Sequence, residues 1–264
     1  MHSNIFDQYK AKNSKIHRLS PIVKMVVALL LIFSNALFPD GAWLGFAISW
    51  GIIFALTLLA KLAWNYTLKR SFIVLPFALA GISVLFSLPG KTLTIWQLGS
   101  FELILTDAGL LHFESILVRS WLSVQFAILL VATTTFPDLI HALEHLRLPK
   151  MLVTVIAFLY RYVTVLSDEA LRLLRARQSR SALLPEQRGG GTLLWRARTA
   201  GNMVGQLFLR SYERSDRIYH AMLSRGYRGH LRTLTPHSIN ARDWLLIALT
   251  FIFIVLLQLF AHLN

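Results

Sequence analysis

The sequence predicts an all-α polytopic membrane protein, with about five transmembrane helices and a helical cytoplasmic region built on two long helices. Three observations lead to this fold class. Of 264 residues, 55% are hydrophobic and 15% are charged, and the mean hydropathy of +0.54 excludes an ordinary soluble domain. Uncharged windows close to the roughly 20 residues of a membrane span recur along the chain. The net charge of +14 collects between those windows.

Five windows have nearly the apolar length of a span. The first covers 22–38, where Ser20 is the predicted N-cap and Pro21 suits the first helical position. We expect a retained span rather than a signal peptide, because the preceding polar stretch is long and no small-residue cleavage site follows. The remaining windows are 42–60, 71–88, 120–136 and 243–264, the last with a short tail. The window 151–166 is apolar but short and contains Arg161, so we expect it in or under the interface.

Lys and Arg are distributed unevenly between these windows, which predicts an orientation. They concentrate in 1–21, 61–70 and 137–242, and cytoplasmic loops of membrane proteins carry this excess. The turn at 39–41 and the loop 89–114 carry almost none and are predicted to face outward. The result is a multi-pass protein of the cell membrane with a cytoplasmic amino terminus and an external carboxyl terminus.

Polar residues near the spans are predicted to have structural roles. Arg119, close to Glu114 at the outer edge of the fourth window, is expected to extend to the interface. Gln125 and Gln258 are expected to form hydrogen bonds between helices. The windows contain no chain of acidic residues, which argues against a proton-coupled transporter that works alone.

The cytoplasmic insertion 137–242 carries most of the charge, with 17 Lys and Arg and seven Asp and Glu. Prolines and glycines divide it into helices. A short helix is predicted from Pro137 to Arg147, and a long one from Pro149 to Ser181. After a break at 185–191, a second long helix is predicted from Thr192 to Arg225. Its apolar residues recur every three or four positions, so it is amphipathic with arginines on the open side.

Both long helices end with the pattern Ala-x-x-Ser-Arg followed by a small residue. A cation at a helix carboxyl end is favoured by the helix dipole and can reach a partner. Two copies predict two equivalent contacts, although a solvated face or contact with lipid phosphates is the alternative for an Arg-rich helix. The candidate site residues are Ala176, Ser179, Arg180 and Ser181 in the first copy, and Ala221, Ser224, Arg225 and Gly226 in the second.

Further motifs lie outside these two helix ends. They are Asp7-x-Tyr9 with Ser14, the run Ile16-His17-Arg18-Leu19-Ser20-Pro21-x-x-Lys24, Leu148-Pro149 and Tyr160-Arg161-Tyr162. With them the chain resembles, over nearly its whole length, the T component of an energy-coupling factor transporter, the EcfT/CbiQ family, specifically its cobalt-type branch. The family signature is Ala-Arg-Gly, so Ser replaces Ala twice and Ser181 replaces the first Gly. Arg177 is therefore an alternative to Arg180, but the repeat with Ala221 favours Arg180.

The resemblance implies a membrane scaffold that couples ATP hydrolysis by two ABC-type ATPase subunits to movement of a substrate-binding membrane subunit. That subunit would be CbiM-like, with a small accessory subunit in some complexes. Arg180 and Arg225 would sit in grooves on the two ATPases. The cargo would be cobalt ions, with nickel or a vitamin as the alternative. In the family another subunit binds the substrate ion, so we assign this chain no metal ligand, no cofactor and no nucleic acid.

Other function classes are less well supported. Gly90-Lys91-Thr92 resembles the end of a phosphate-binding loop, but Leu85 stands where that loop needs glycine, so we expect no enzyme activity. His141 and His145 are one helical turn apart but lack a third ligand, and the sequence has no cysteine to supply one, so we expect no metal site at this pair. A membrane enzyme for phosphorylated substrates would need acidic clusters, and Asp168-Glu169 is the only adjacent acidic pair in the insertion. A passive channel or lipid-binding anchor is the remaining alternative.

Overall fold

The structure, a computed structural model, describes residues 8–74, 76, 81–87, 89–98, 101–146, 148–180, 192–229 and 240–263. Helices and strands are numbered in chain order within these ranges. The helices are α1 (Pro21–Ala36), α2 (Trp43–Leu59), α3 (Trp64–Ser71), α4 (Val84–Ser87), α5 (Asp107–Thr133), α6 (Phe136–His145), α7 (Lys150–Arg180), α8 (Leu193–Ser224) and α9 (Ala241–Leu263). The strands β1 (Thr92–Leu98) and β2 (Phe101–Thr106) form an antiparallel hairpin. The predicted helical membrane-protein fold is confirmed, with the hairpin as an addition.

The chain divides into two compact units. The larger, the membrane unit, comprises the described residues of Ile5–Ala142 and His237–Asn264. The smaller comprises those of Leu143–Pro236, contains α7 and α8, and is named the coupling unit for the role proposed below.

Three helices in the described ranges are long and apolar enough to cross a membrane: α5, α7 and α9. The apolar helices α1 and α2 are shorter, at 16 and 17 residues. Residues 151–166 belong to the 31-residue α7, so they are not a separate short helix. The placement of each helix in or below the membrane stays a prediction.

The third predicted span, 71–88, is not one continuous α-helix. α3 ends at Ser71, a 3-10 turn covers Phe72–Val74, and a turn at Ile82–Ser83 precedes α4. Pro76 falls inside the window and has no N–H to donate, which interrupts helical hydrogen bonding. Hydropathy measures composition and does not detect such an interruption.

Most of the fourth predicted span, 120–136, is the second half of a longer helix, which ends at Thr133. α5 begins at Asp107, where the Thr106 hydroxyl accepts a hydrogen bond from the Gly109 N–H (3.1 Å). A Cβ atom on Gly109 would lie 2.6 Å from the Leu85 carbonyl oxygen, so glycine allows α4 to approach α5. The predicted outer loop 89–114 therefore contains the hairpin and the first turns of α5.

The apolar core of the membrane unit joins α1, α2, α5 and α9. Ile53 is fully buried and Leu122 nearly so. Gln258 donates a hydrogen bond to the Ser34 carbonyl oxygen (2.6 Å), which confirms its predicted role between helices. Gln125 is also fully buried, but its amide has no hydrogen-bond partner in the described part of the chain. The other members of this core are Leu31, Phe38, Phe46, Phe126, Ile254, Leu257 and Ala261.

An acidic residue in the α1–α2 turn connects that turn to α5. Asp40 accepts hydrogen bonds from Arg119 and pairs with the His112 ring (2.5 Å). His112 and Arg119 are seven residues apart, so they share one face of α5. The partner of Arg119 is therefore Asp40, across the fold, and the extension of Arg119 to the interface stays a prediction.

Candidate functional site

The helices of the coupling unit, α7 and α8, cross in an antiparallel arrangement. Glu169 and Arg210 lie at the crossing, where the Arg210 Nη1 is 2.5 Å from the Glu169 Oε1. Glu169 is 17% exposed, and no other ion pair joins these helices within the described ranges. A groove opens between the helices on each side of this pair.

The first groove, named the arginine groove, has a volume of about 750 Å³. It lies between the second half of α7 and the first half of α8. Its lining residues are Glu169, Arg172, Leu173, Ala176, Arg177, Arg180, Trp195, Thr199, Asn202, Met203, Gln206 and Arg210. Their spacing of three, four and seven along each helix places them on the two facing sides. Glu169, the one acidic residue in this lining, is paired with Arg210.

The second groove, named the aromatic groove, has a volume of about 800 Å³ and lies on the other side of the crossing. Its α7 wall runs from Met151 to Leu166 and its α8 wall from Phe208 to Met222. The aromatic members are Phe158, Tyr162, Phe208, Tyr212, Tyr219 and Tyr227. Arg214 is the one charged residue in the lining. The two grooves therefore differ in chemistry, one cationic and the other largely apolar.

The carboxyl end of α8 has a defined cap. The N–H of Gly226 donates to the Leu223 carbonyl (2.9 Å), and the N–H of Tyr227 donates to the Met222 carbonyl (3.0 Å). Gly226 has a φ of +80°, the left-handed conformation that glycine adopts without a steric cost. These features form a Schellman motif with Arg225 as the C-cap residue. Met222 and Tyr227 both line the aromatic groove, which is the apolar contact that accompanies such a cap.

The carboxyl end of α7 is described only as far as Arg180. Arg180 is the last residue of the helix and is exposed. Ser181, the predicted small neighbour, lies outside the described residues. The hydroxyl of Ser179 donates to the Arg175 carbonyl (3.1 Å), so it is engaged with its own helix. Ser224 similarly donates to the Ala221 carbonyl (3.0 Å).

The two sequence copies lie in different surroundings. Ala176 lines the arginine groove together with Arg180. Ala221 and Arg225 line neither groove. The structure therefore does not bring the two copies together, and each belongs to its own end of the coupling unit.

Both motif arginines are available to a partner. Arg180 and Arg225 are exposed, and neither guanidinium has an ion-pair or hydrogen-bond partner among the residues described. A guanidinium carries five N–H donors and remains charged at all physiological pH values. Each is carried by a helix of more than 30 residues. This arrangement suits binding of carboxylates or carbonyl oxygens at two separate points.

The amino-terminal motif residues form a second cluster, in the membrane unit. The Lys24 Nζ donates to the carbonyl oxygens of Thr133 (3.1 Å) and His17 (3.3 Å). The His17 ring lies 2.7 Å from the Ser14 hydroxyl and 3.0 Å from the Lys10 carbonyl oxygen. Burial lowers the pKa of His17, and the Lys24 charge acts in the same direction. This cluster holds the segment before α1 against the end of α5. Asp7 lies outside the described residues.

Sequence reasoning missed the residues that surround the motif arginines. Arg172 and Trp195 share the arginine groove with Arg180 but lie on different helices. Periodicity identifies the face of each helix, whereas the crossing that joins two faces depends on tertiary packing. A local signal did exist at the other end, because an apolar residue four positions before Gly226 and another directly after it are typical of a Schellman motif.

Comparison with known proteins identifies similar chains. The family model described as CbiQ, cobalt transport protein, matches residues 12–237. An energy-coupling factor transporter transmembrane protein EcfT of Streptococcus thermophilus is 29% identical, covering 85% of each chain. Another EcfT, of Lactobacillus helveticus, is 26% identical over 97% of this chain and 92% of its own. A putative fused cobalt transport protein CbiMQ of Methanocorpusculum labreanum is 26% identical over 85% of this chain and 37% of its own.

Proposed function

Because the chain belongs to the CbiQ family of cobalt transport proteins, we propose that it is the transmembrane coupling subunit of an ATP-driven importer. Two ABC-type ATPase subunits bind the ends of α7 and α8, one at Arg180 and one at Arg225. When the ATPases close on ATP, the two helix ends move, and the coupling unit transmits this motion to a substrate-binding membrane subunit.

One observation carries this proposal. Arg180 and Arg225 end two long helices, are exposed, and lack a charged partner in the described chain. An unpaired guanidinium at a rigid helix end has little role in stabilising the coupling unit itself. It is well suited to bind a second protein, because a planar donor group on a fixed backbone defines the direction of contact.

In this proposal, other subunits hydrolyse ATP and bind the transported substrate. ATP hydrolysis belongs to the ATPases, so this chain is not an enzyme. Cobalt ions are the proposed cargo, bound by a CbiM-like subunit, and both are supported by the similarity to the cobalt transport protein family CbiQ and to the putative fused cobalt transport protein CbiMQ. A nickel or vitamin cargo would leave the role of this chain unchanged.

The proposed topology follows from charge. The coupling unit, with Arg180 and Arg225, faces the cytoplasm, where ATP is available. The amino terminus is cytoplasmic and the carboxyl terminus external, as the distribution of Lys and Arg predicts.

Charge reversal tests the proposal in the assembled complex. We expect Arg180→Glu and Arg225→Glu each to reduce recovery of the ATPase subunits and cobalt uptake about tenfold, and the double variant to abolish both. The matched control is Arg217→Glu, which reverses an exposed α8 arginine that lines neither groove. Wild-type recovery and uptake in the double variant would refute the proposal.

A further inference from the structure

Two segments of the membrane unit that are distant in sequence are both strongly basic. Residues 1–21 and 61–70 together contain seven Lys and Arg. Asp7 is the one acidic residue of these segments in the sequence, and it lies outside the described residues. Even with Asp7 counted, an excess of six positive charges remains.

The structure joins these two segments by side-chain contacts. The Tyr66 hydroxyl donates to the Gln8 carbonyl oxygen (3.2 Å), and the Lys12 Nζ donates to the Lys61 carbonyl oxygen (2.6 Å). The centre of the Tyr66 ring lies 5.5 Å from the Lys10 Nζ and 4.3 Å from the Arg70 Cζ. The patch formed in this way is named the basic surface and consists of Lys10, Lys12, Lys61, Tyr66 and Arg70.

We propose that the basic surface binds the phosphate of an anionic phospholipid headgroup at the edge of the bilayer. The site belongs to the membrane unit, so it is separate from the coupling role of Arg180 and Arg225. Tyr66 has a positioning role, because its ring holds two cations beside the headgroup.

The uncompensated charge is the first argument for this ligand. Lys10 and Arg70 approach the same ring, and neither forms an ion pair with any residue that the structure describes. The side-chain acceptor of Arg70 is the uncharged Gln8 amide oxygen. Like charges this close repel one another, and an anion placed between them turns repulsion into attraction. A guanidinium also matches the oxygen atoms of a phosphate group.

The backbone of Lys61 is a second, independent argument. Its φ is +56°, and among the described residues it is the one residue other than glycine with a positive φ. A side chain with a Cβ atom has a steric cost in this conformation, which glycine avoids. Strained positions of this kind are frequent where the side chain has a function. The side chain of Lys61 is exposed, so its charge is available to a ligand.

The apolar surroundings favour a lipid over a free phosphate or a protein. Phe72 and Ile73, which directly follow α3, are 65% and 67% exposed. Trp64, at the start of α3, packs against Trp50 and Phe54 of α2, with ring centres 5.7 and 5.1 Å apart. Cations and tryptophan beside exposed apolar side chains are typical of the membrane–water interface. A phospholipid supplies both a phosphate for the cations and acyl chains for the apolar residues.

Lipid titration of the purified full-length chain in a neutral detergent, followed by native mass spectrometry, tests the proposal. Wild type is expected to bind phosphatidylglycerol about tenfold more tightly than phosphatidylcholine, because basic residues favour anionic lipid. Lys10→Gln with Arg70→Gln should weaken phosphatidylglycerol binding about tenfold and leave phosphatidylcholine binding unchanged. The matched control, Arg198→Gln with Arg217→Gln, removes two exposed charges from the coupling unit and should match wild type.

Lys61→Gly separates the charge of this residue from its effect on the fold. Glycine adopts the observed φ without strain, so the thermal unfolding midpoint should equal or exceed that of wild type. Phosphatidylglycerol binding should nevertheless weaken about threefold, because one cation of the basic surface is lost. A lysine with a purely structural role would leave lipid binding unchanged.

Four results would overturn the inference. They are equal affinity of wild type for the two lipids, equal weakening by the Arg198 and Arg217 control, wild-type phosphatidylglycerol binding by both basic-surface variants, and displacement of the lipid by an equal concentration of glycerol phosphate, which would identify a site for free phosphate. Reduced ATPase recovery by Lys10→Gln with Arg70→Gln, at unchanged lipid affinity, would assign the surface to a protein partner instead. In each case the coupling function stands, because Arg180→Glu and Arg225→Glu test it separately.

Discussion

At the scale of single residues, the conformation of Gly226 determines the position of Arg225. The cap that ends α8 requires a left-handed residue directly after the arginine, and Gly226 has a φ of +80°. A Cβ atom at Gly226 would contact nothing within 4 Å, so space does not constrain this position. The requirement for glycine is therefore a backbone requirement, and it serves to end the helix at Arg225.

We predict that Gly226→Ala weakens ATPase binding about fivefold, because the left-handed conformation costs a residue with a Cβ about 1 kcal/mol. Binding of the purified ATPase subunits to the variant in nanodiscs measures this. Gly226→Asn should bind better than Gly226→Ala, since asparagine tolerates the same conformation.

The control for this prediction is Gly205→Ala, on α8 with open space around its Cβ position and an ordinary φ. In a helix interior this change should slightly stabilise the chain and leave binding intact. Equal binding by Gly226→Ala and wild type would contradict the role of the cap.

Single residues were predictable from sequence where a local rule decides their position. Arg180 and Arg225 are found at or next to helix ends, as the repeated pattern predicts. The link between Arg119 and Asp40 was not predictable, because the two residues are 79 positions apart and pair only through the packing of the α1–α2 turn on α5.

At the scale of elements, the crossing of α7 and α8 controls the distance between their ends. The Glu169–Arg210 pair lies between the two grooves, so it fixes the point about which the helices can rotate. An exposed ion pair contributes only about 0.2–1 kcal/mol to stability. Its effect on geometry can still be large, because a small rotation at a crossing displaces a helix end three turns away.

We predict that Glu169→Arg broadens the distance between spin labels on α7 and α8, since it places two cations at the crossing. The labels are attached through Arg175→Cys and Arg198→Cys, and the sequence contains no other cysteine. Adding Arg210→Glu reverses the pair and should restore the narrow wild-type distribution. A swapped variant that remains as broad as Glu169→Arg would show that the pair does not set the crossing.

The bounds of helices were predictable where caps and prolines mark them. The start of α8 follows from Thr192, whose hydroxyl accepts a hydrogen bond from the Trp195 N–H (3.3 Å), and α7 begins just after Pro149. The start of α5 was missed because its first turns contain Asp107, His112 and other polar residues that lower the hydropathy. The hairpin does not show in the hydropathy or charge pattern, although the β-branched and aromatic residues of 92–106 favour strands.

At the scale of the whole molecule, the chain divides into two compact units with different surfaces. The membrane unit has an apolar core and a half-buried Lys24 that holds the amino-terminal segment. The coupling unit has two exposed grooves and two unpaired arginines. The charge pattern of the sequence predicts a cytoplasmic insertion between membrane spans, which stays a prediction, whereas the unlike chemistry of the two grooves emerges only from the tertiary structure.

The central claim is that Arg180 and Arg225 each contact one ATPase subunit. Site-specific photo-crosslinking tests it most directly. Because the sequence contains no cysteine, the probe attaches only to a cysteine that is introduced. A benzophenone probe is attached to Arg180→Cys, to Arg225→Cys, to both, or to the control Lys91→Cys in the predicted outer loop. The assembled complex is then irradiated in membranes and analysed by mass.

We predict that each single variant joins this 30.0 kDa chain to one ATPase subunit, and that the double variant joins it to two. The Lys91→Cys control should yield no ATPase product. Products with lipid alone from both arginine positions, or an ATPase product from Lys91→Cys and none from Arg180→Cys and Arg225→Cys, would contradict the account.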